Sequence, residues 1–65
     1  MNLAERIKEY RRQTGCTQVE LAAKIGISQP SLVGYETGEN KPKTVNAIKL
    51  ASLLGTTVEE LMKEE

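Results

Sequence analysis

Apolar residues recur along this chain at spacings of three and four rather than two, the period of helices that bury one face. Glycine and proline divide that pattern into five segments. The first predicts a helix from about Leu3 to Gln13, with Leu3, Ile7 and Tyr10 inward. Asn2 is its N-cap, Glu5 the partner three residues on, and Gly15 its stop. The second opens on Thr17 and Glu20, a T-x-x-E capping box. Cys16 and Leu21 flank it in the positions of a hydrophobic staple. Val19, Leu21, Ala22 and Ile25 follow, and Gly26 stops the helix. The third starts at Ser28 or Gln29 with Pro30 in its first turn, turns Leu32 and Tyr35 inward, and ends at Gly38. A polar loop, 39–43, leads to a helix from about Thr44 to Leu54. There Ile48, Ala51 and either Leu50 or Leu54 are expected inward. The last helix runs from Val58 to about Lys63, behind a further box formed by Thr57 and Glu60. None of these helices is long enough to be stable alone. The reading is one compact all-α domain spanning 1–65.

Composition removes several functions. The 65 residues include no His and one Cys, which excludes imidazole acid–base chemistry, Cys–His pairs, a zinc site of ordinary ligand count and an internal disulfide. Cys16 is expected to be a small buried hydrophobe rather than a redox switch. No carboxylate pair has a sheltered setting that would tune a pKa for catalysis. The expectation is therefore a non-enzyme without metal, cofactor or small-molecule ligand. No apolar run suits a membrane and no signal peptide is visible, so a cytoplasmic protein is expected.

Segment 18–37 carries the functional signal. Two short helices meet at a glycine turn. Ala22 is small enough for a close crossing, Gly26 tolerates positive φ, and Leu21, Ile25, Ile27, Leu32 and Tyr35 have inward spacing. These are the requirements of a helix-turn-helix unit. Over this stretch, T-Q-V-E-L-A-A-K-I-G-I-S-Q-P-S-L-V-G-Y-E-T-G-E-N-K-P followed by A-I-K-L-A-S-L-L-G-T-T-V-E-E-L, the sequence resembles the phage repressor and Cro group, the lambda-repressor-like or Xre family. Gln18, Ala22, Gly26, Glu36, Gly38, Pro42 and Gly55 fall where that family has them.

The resemblance implies a five-helix lambda-repressor-like fold and a regulator that reads double-stranded DNA with its third helix in the major groove. By position, Gln29 is implied as the main base reader, with Pro30, Ser31 and Gly34 as further base-contact positions. Pro30 offers only apolar surface, and Gly34 offers no side chain. Gly34 reads either as a close approach to DNA or a partner, or as a tolerated surface glycine. Phosphate contacts are implied at the helix starts, Thr17, Gln18 and Ser28, and in the loop, Asn40, Lys41 and Lys43. Glu39 is unfavourable there. An ion pair between Arg11 and Glu36 is implied, tying the first helix to the third. Val58, Glu59 and Met62 would form the surface of a weak homodimer, strengthened on a near-palindromic operator. The alternative is a protein-interaction module on the same fold, of antitoxin or transcription-bridging type, suggested by Pro30, Val33 and Gly34.

The formal charge is zero, nine basic against nine acidic residues, which argues against nucleic acid until it is divided along the chain. Residues 1–55 hold eight basic and five acidic side chains, a net +3. Residues 56–65 hold Lys63 against Glu59, Glu60, Glu64 and Glu65, a net −3. The balance therefore permits DNA binding with a modest phosphate attraction.

Overall fold

A computed structural model describes residues 2–63. Five helices follow in order: α1 (Leu3–Thr14), α2 (Gln18–Ile25), α3 (Gln29–Thr37), α4 (Thr44–Leu54) and α5 (Val58–Leu61). The boundaries are chemical. Asn2 accepts from the Glu5 N–H while the Glu5 carboxylate accepts from the Asn2 N–H, and Thr17 and Glu20 repeat the exchange at α2. Ser28, not Gln29, caps α3, taking the Ser31 N–H at 3.3 Å. The α2 stop is a Schellman motif. Gly26 lies at φ +71, its N–H reaches Ala23 O, and the Ile27 N–H reaches Ala22 O at 3.0 Å. A β-carbon at that φ would be strained.

α5 is shorter than the sequence suggests. Thr57 accepts the Glu60 N–H, but the Glu60 carboxylate turns to Arg6, 3.6 Å away on α1. The expected third box is thus half a box and half a tie between α1 and α5. Glu64 and Glu65, counted in the acidic C-terminal segment, lie outside the described residues.

α3 packs against both α1 and α2, α5 packs on α4, and α4 closes the group against α1 and α2. Ile7, Leu21, Leu32, Leu50 and Leu61 are the largest fully buried side chains, joined by Ala22, Ile25, Tyr35 and Ala51. Each fully buried Leu or Ile contributes about 1.5–3 kcal/mol relative to exposure. Cys16 is half-buried against this core, just ahead of the α2 start.

One expectation fails. Ile48, expected inward, is 54% exposed, and Val45 is 63% exposed. The segment offers two overlapping helical stripes, and the one through Ala47, Leu50, Ala51 and Leu54 faces the core. Ala47 and Ala51 let α4 approach closely, which a stripe centred on Ile48 would prevent. Val19 on α2 is likewise exposed at 60%. The Tyr35 hydroxyl accepts from Asn46 Nδ2 at 3.1 Å and links α3 to α4. Among the described residues no helix is long and apolar enough to cross a membrane.

Two outcomes follow. Leu50→Ala should lower stability by about 2–5 kcal/mol, whereas Ile48→Ala should stay within about 0.5 kcal/mol; urea unfolding midpoints separate the two. The second concerns acid. Hydrogen bonds from Thr17, its backbone N–H foremost, hold the Glu20 carboxyl below its usual 4.5. The Arg12 guanidinium, chiefly through its hydrogen bond, does the same for Glu9. A carboxyl depressed in the folded state stabilises it above the unfolded value and loses that contribution as pH falls through the folded one. The thermal midpoint should therefore drop below about pH 4.5, and the gap between wild type and Glu20→Gln should close there.

Candidate nucleic-acid interface

The ends of α2 and α3 present a connected set of polar side chains. Glu36, in the last turn of α3, is 6% exposed yet carries a carboxylate. Its Oε2 lies 3.5 Å from Arg11 Nη1 of α1, and its Oε1 accepts from Gln18 Nε2 of α2 at 3.1 Å. Gln18 Oε1 in turn accepts from Gln29 Nε2 of α3 at 3.3 Å. Three helices are thereby joined in one line: Arg11, Glu36, Gln18, Gln29.

The line has a direction, set by the one group in it that can only accept. The carboxylate draws the Gln18 amide NH2 inward, which turns Gln18 Oε1 outward to receive Gln29. Gln29 keeps its own oxygen and its second N–H, a donor and an acceptor side by side on an exposed first turn. Charge and burial argue that the arrangement is held. Neither Arg11 Nε nor Glu36 Oε2 has a hydrogen-bond partner among the described residues. The ion pair is therefore a charge contact, and it fixes the α1–α3 geometry more than it adds stability.

The sequence places Thr17, Gln18 and Ser28 at helix starts, and the structure brings them to the leading turns of α2 and α3. Thr17 is committed to its capping box. The Ser28 and Ser31 hydroxyls lie 2.9 Å apart, so Ser31 faces Ser28. Gln18 has a task beyond the one its position suggested: it bridges Glu36 and Gln29. Pairing of amide and carboxylate across a separation of 18 residues leaves no local signal in the chain.

Gly34 corrects both earlier readings. It is neither a free surface glycine nor open to DNA as bare backbone, because it is buried beneath Asn40. Lys41 and Lys43 are exposed in the same loop, and Pro42 between them is buried, pinning it. Val33 is 36% exposed on the outer side of α3. Of the expected dimer residues, Glu59 is exposed, while Val58 and Met62 are half-buried; Val58 packs against the core of its own chain. Outside this region Lys24 Nζ sits 5.9 Å from the centre of the Tyr10 ring, a cation–π contact between α2 and α1.

Arg11→Ala should reveal the tie by leaving the Glu36 carboxylate buried without its counter-charge. The expected loss is about 1–3 kcal/mol, less than for a fully enclosed pair, because a quarter of Arg11 is open to solvent. Chemical unfolding measures it, and adding Glu36→Gln should recover part of the loss.

Comparison with known proteins bears on the same region. The family model described as helix-turn-helix matches residues 7–61. The cryptic phage CTXphi transcriptional repressor RstR of Vibrio cholerae is 38% identical over 61 residues, covering 94% of this chain and 54% of that protein. The HTH-type transcriptional regulator ImmR of Bacillus subtilis is 34% identical over 65 residues, all of this chain and 51% of that protein. An HTH-type transcriptional regulator of Archaeoglobus fulgidus is 38% identical over 56 residues, 86% of this chain and 80% of that protein. The chain spans about half the length of the first two. Five helices in this order, the Gly26 turn between α2 and α3, and a match across most of the length lead to one conclusion: the chain belongs to the helix-turn-helix family of phage-repressor type, with the lambda-repressor-like fold.

Proposed function

We propose that this chain is a sequence-specific DNA-binding unit of a transcriptional regulator, inserting α3 into the major groove. The observation that carries the reading is the orientation of Gln29. Its exposed donor and acceptor are set by Gln18 and, behind it, by the buried Glu36. A carboxamide so held matches adenine N6 and N7 in the major groove, worth roughly 1–3 kcal/mol of discrimination. Ordering it before binding reduces the entropy lost on contact.

The start of α2, with its outward N–H groups, and the loop lysines Lys41 and Lys43 fit phosphates on either side of the groove. Glu20 and Glu39 oppose them, so the backbone term stays modest. A near-palindromic operator bound by two copies suits the docking geometry of phage repressors. Val58, Glu59 and Met62 then supply a small contact between copies, and Val58 is already partly used by its own core. A weak dimer completed on DNA fits that surface. The names of the matched repressors and regulators support the reading.

Exposed Val33 beside Pro30 favours one other reading, docking of α3 on a protein. Salt separates the two. DNA affinity should fall with a log–log slope near −0.9 per phosphate neutralised, while an apolar protein contact should respond little. Binding-site selection on random duplexes is the direct test. Wild type should enrich a motif, and Gln29→Ala should lose preference at one position per half-site. Failure of wild type to enrich any site would sink the regulator reading.

A further inference from the structure

Where α1 begins and where α3 and α5 end, the packing leaves an open cavity of about 330 Å³. That is the small end of the range of ligand sites, about 300–1,000 Å³. Its surface divides by chemistry. Leu3 and Ala4 of α1, Tyr35 of α3, and Leu61 and Met62 at the end of α5 make an apolar floor. Lys41, from the loop after α3, and Lys63, past α5, are exposed and stand at the open side. None of the lining residues is acidic, in a chain with as many acidic as basic side chains.

Each wall is fixed by contacts outside the cavity. The α1 start is held by the Asn2–Glu5 capping box. On the loop side, the Asn40 N–H donates to Gly34 O at 3.1 Å, and its side chain lies over Gly34, where a Cβ would stand 2.9 Å from Asn40 Cγ. The glycine's poor helix propensity thereby gains a reason: it seats the loop. On the α5 side, Leu61 is buried in the core and Glu60 reaches Arg6 at 3.6 Å. The cavity is therefore preformed, and a ligand entering it loses little to reordering of the protein. Composition argues for a chain without a small-molecule ligand, because it lacks the groups for catalysis or metal binding. A cavity made by packing leaves no such trace in composition.

We propose that this cavity is a regulatory site for a small amphipathic anion, an aliphatic carboxylate of medium chain length, whose occupancy weakens DNA binding. The tail covers Leu3, Ala4 and Met62, which are only half-buried in the empty protein, and the head group meets Lys41 and Lys63. A cationic head would face two like charges, and a bare inorganic anion would leave the apolar floor wet. The effect on DNA rests on the DNA-binding reading above. Lys41 is one of the loop lysines placed against phosphate there, and a carboxylate beside it offsets its charge, so fewer counterions are released on binding DNA. Met62, placed in the contact between copies, is covered by the same tail.

Titration of the free protein with octanoate, octanol, octylammonium and inorganic phosphate, followed by amide chemical shifts, tests the site without DNA. Octanoate should saturate with a dissociation constant on the order of 1–10 mM, with shifts centred on Ala4, Thr37 and Met62. Octanol should bind more weakly, and octylammonium and phosphate more weakly still. Ala4→Leu, which fills the cavity, should remove octanoate binding. Lys63→Ala should weaken octanoate roughly 2- to 5-fold and leave octanol unchanged. Thermal unfolding checks that both variants fold, and if Ala4→Leu does not, Lys63→Ala decides alone. No saturation, octylammonium or phosphate binding as tightly as octanoate, or shifts centred on exposed Val45 and Ile48 instead, overturns the proposal. On the duplex obtained by site selection, octanoate should weaken affinity roughly 5- to 10-fold at 0.1 M salt against equal sodium acetate, and flatten the salt slope by about 0.9 per lysine neutralised. Octanoate binding that leaves DNA affinity unchanged overturns the regulatory role. A wild type that enriches no site overturns the DNA-binding reading and that role with it, while the shifts on free protein still decide the ligand site.

Discussion

A carboxylate that is almost wholly removed from water organises this molecule's polar face. Glu36 sits at the end of α3 with one oxygen toward Arg11 and the other holding the Gln18 amide. An ionised carboxylate accepts and never donates, so it imposes an orientation on what it touches. It turns Gln18, and Gln18 turns Gln29. A neutral partner at position 36 would leave both amides free to flip. The same group anchors α1 to α3, so the helix that presents Gln29 is registered against the body of the fold by the residue that orients Gln29. Scaffold and site are coupled at one atom group, an arrangement that pre-sets geometry at some expense in desolvation.

The second constraint is space along α3. The helix is nine residues long, and it must bury Leu32 and Tyr35, carry Glu36 inward, and still present an outer face. With so few positions, the outer stripe has little polar equipment of its own: Pro30 and Val33 are apolar and Gly34 is bare. The loop compensates. Asn40 crosses Gly34 and brings a carboxamide to the helix surface, while buried Pro42 pins the loop beyond it. This short helix and its following loop therefore act as one surface.

Element starts and stops were legible because their chemistry is local. Asn2 with Glu5, Thr17 with Glu20, and glycines after α1, α2, α3 and α4 act within a few residues, so their spacing reports them directly. The helix-turn-helix was legible for the same reason: a capped helix, a small residue and a Schellman turn lie within one short stretch. The face of α4 was not. Two stripes of similar apolar content overlap there, and only the space left by α1 and α2 chooses Leu50 over Ile48. The full capping box at the start of α5 was not legible either, because the Glu60 carboxylate has a competing partner on α1, far away in the chain.

The sequence by itself determined five helices, their caps, the turn between α2 and α3, the family, and the residue types offered at the leading turns. Periodicity and capping are short-range properties, and a single chain displays them in full. The tertiary structure alone decided how those residues connect. Gln18 bridges Glu36 and Gln29, Tyr35 meets Asn46, and Asn40 lies on Gly34, because packing brings together groups whose separation in the chain carries no mark of the contact. Even the zero net charge acquires its meaning this way: Glu36, one of the nine acidic residues, is buried among its partners instead of opposing phosphates at the surface.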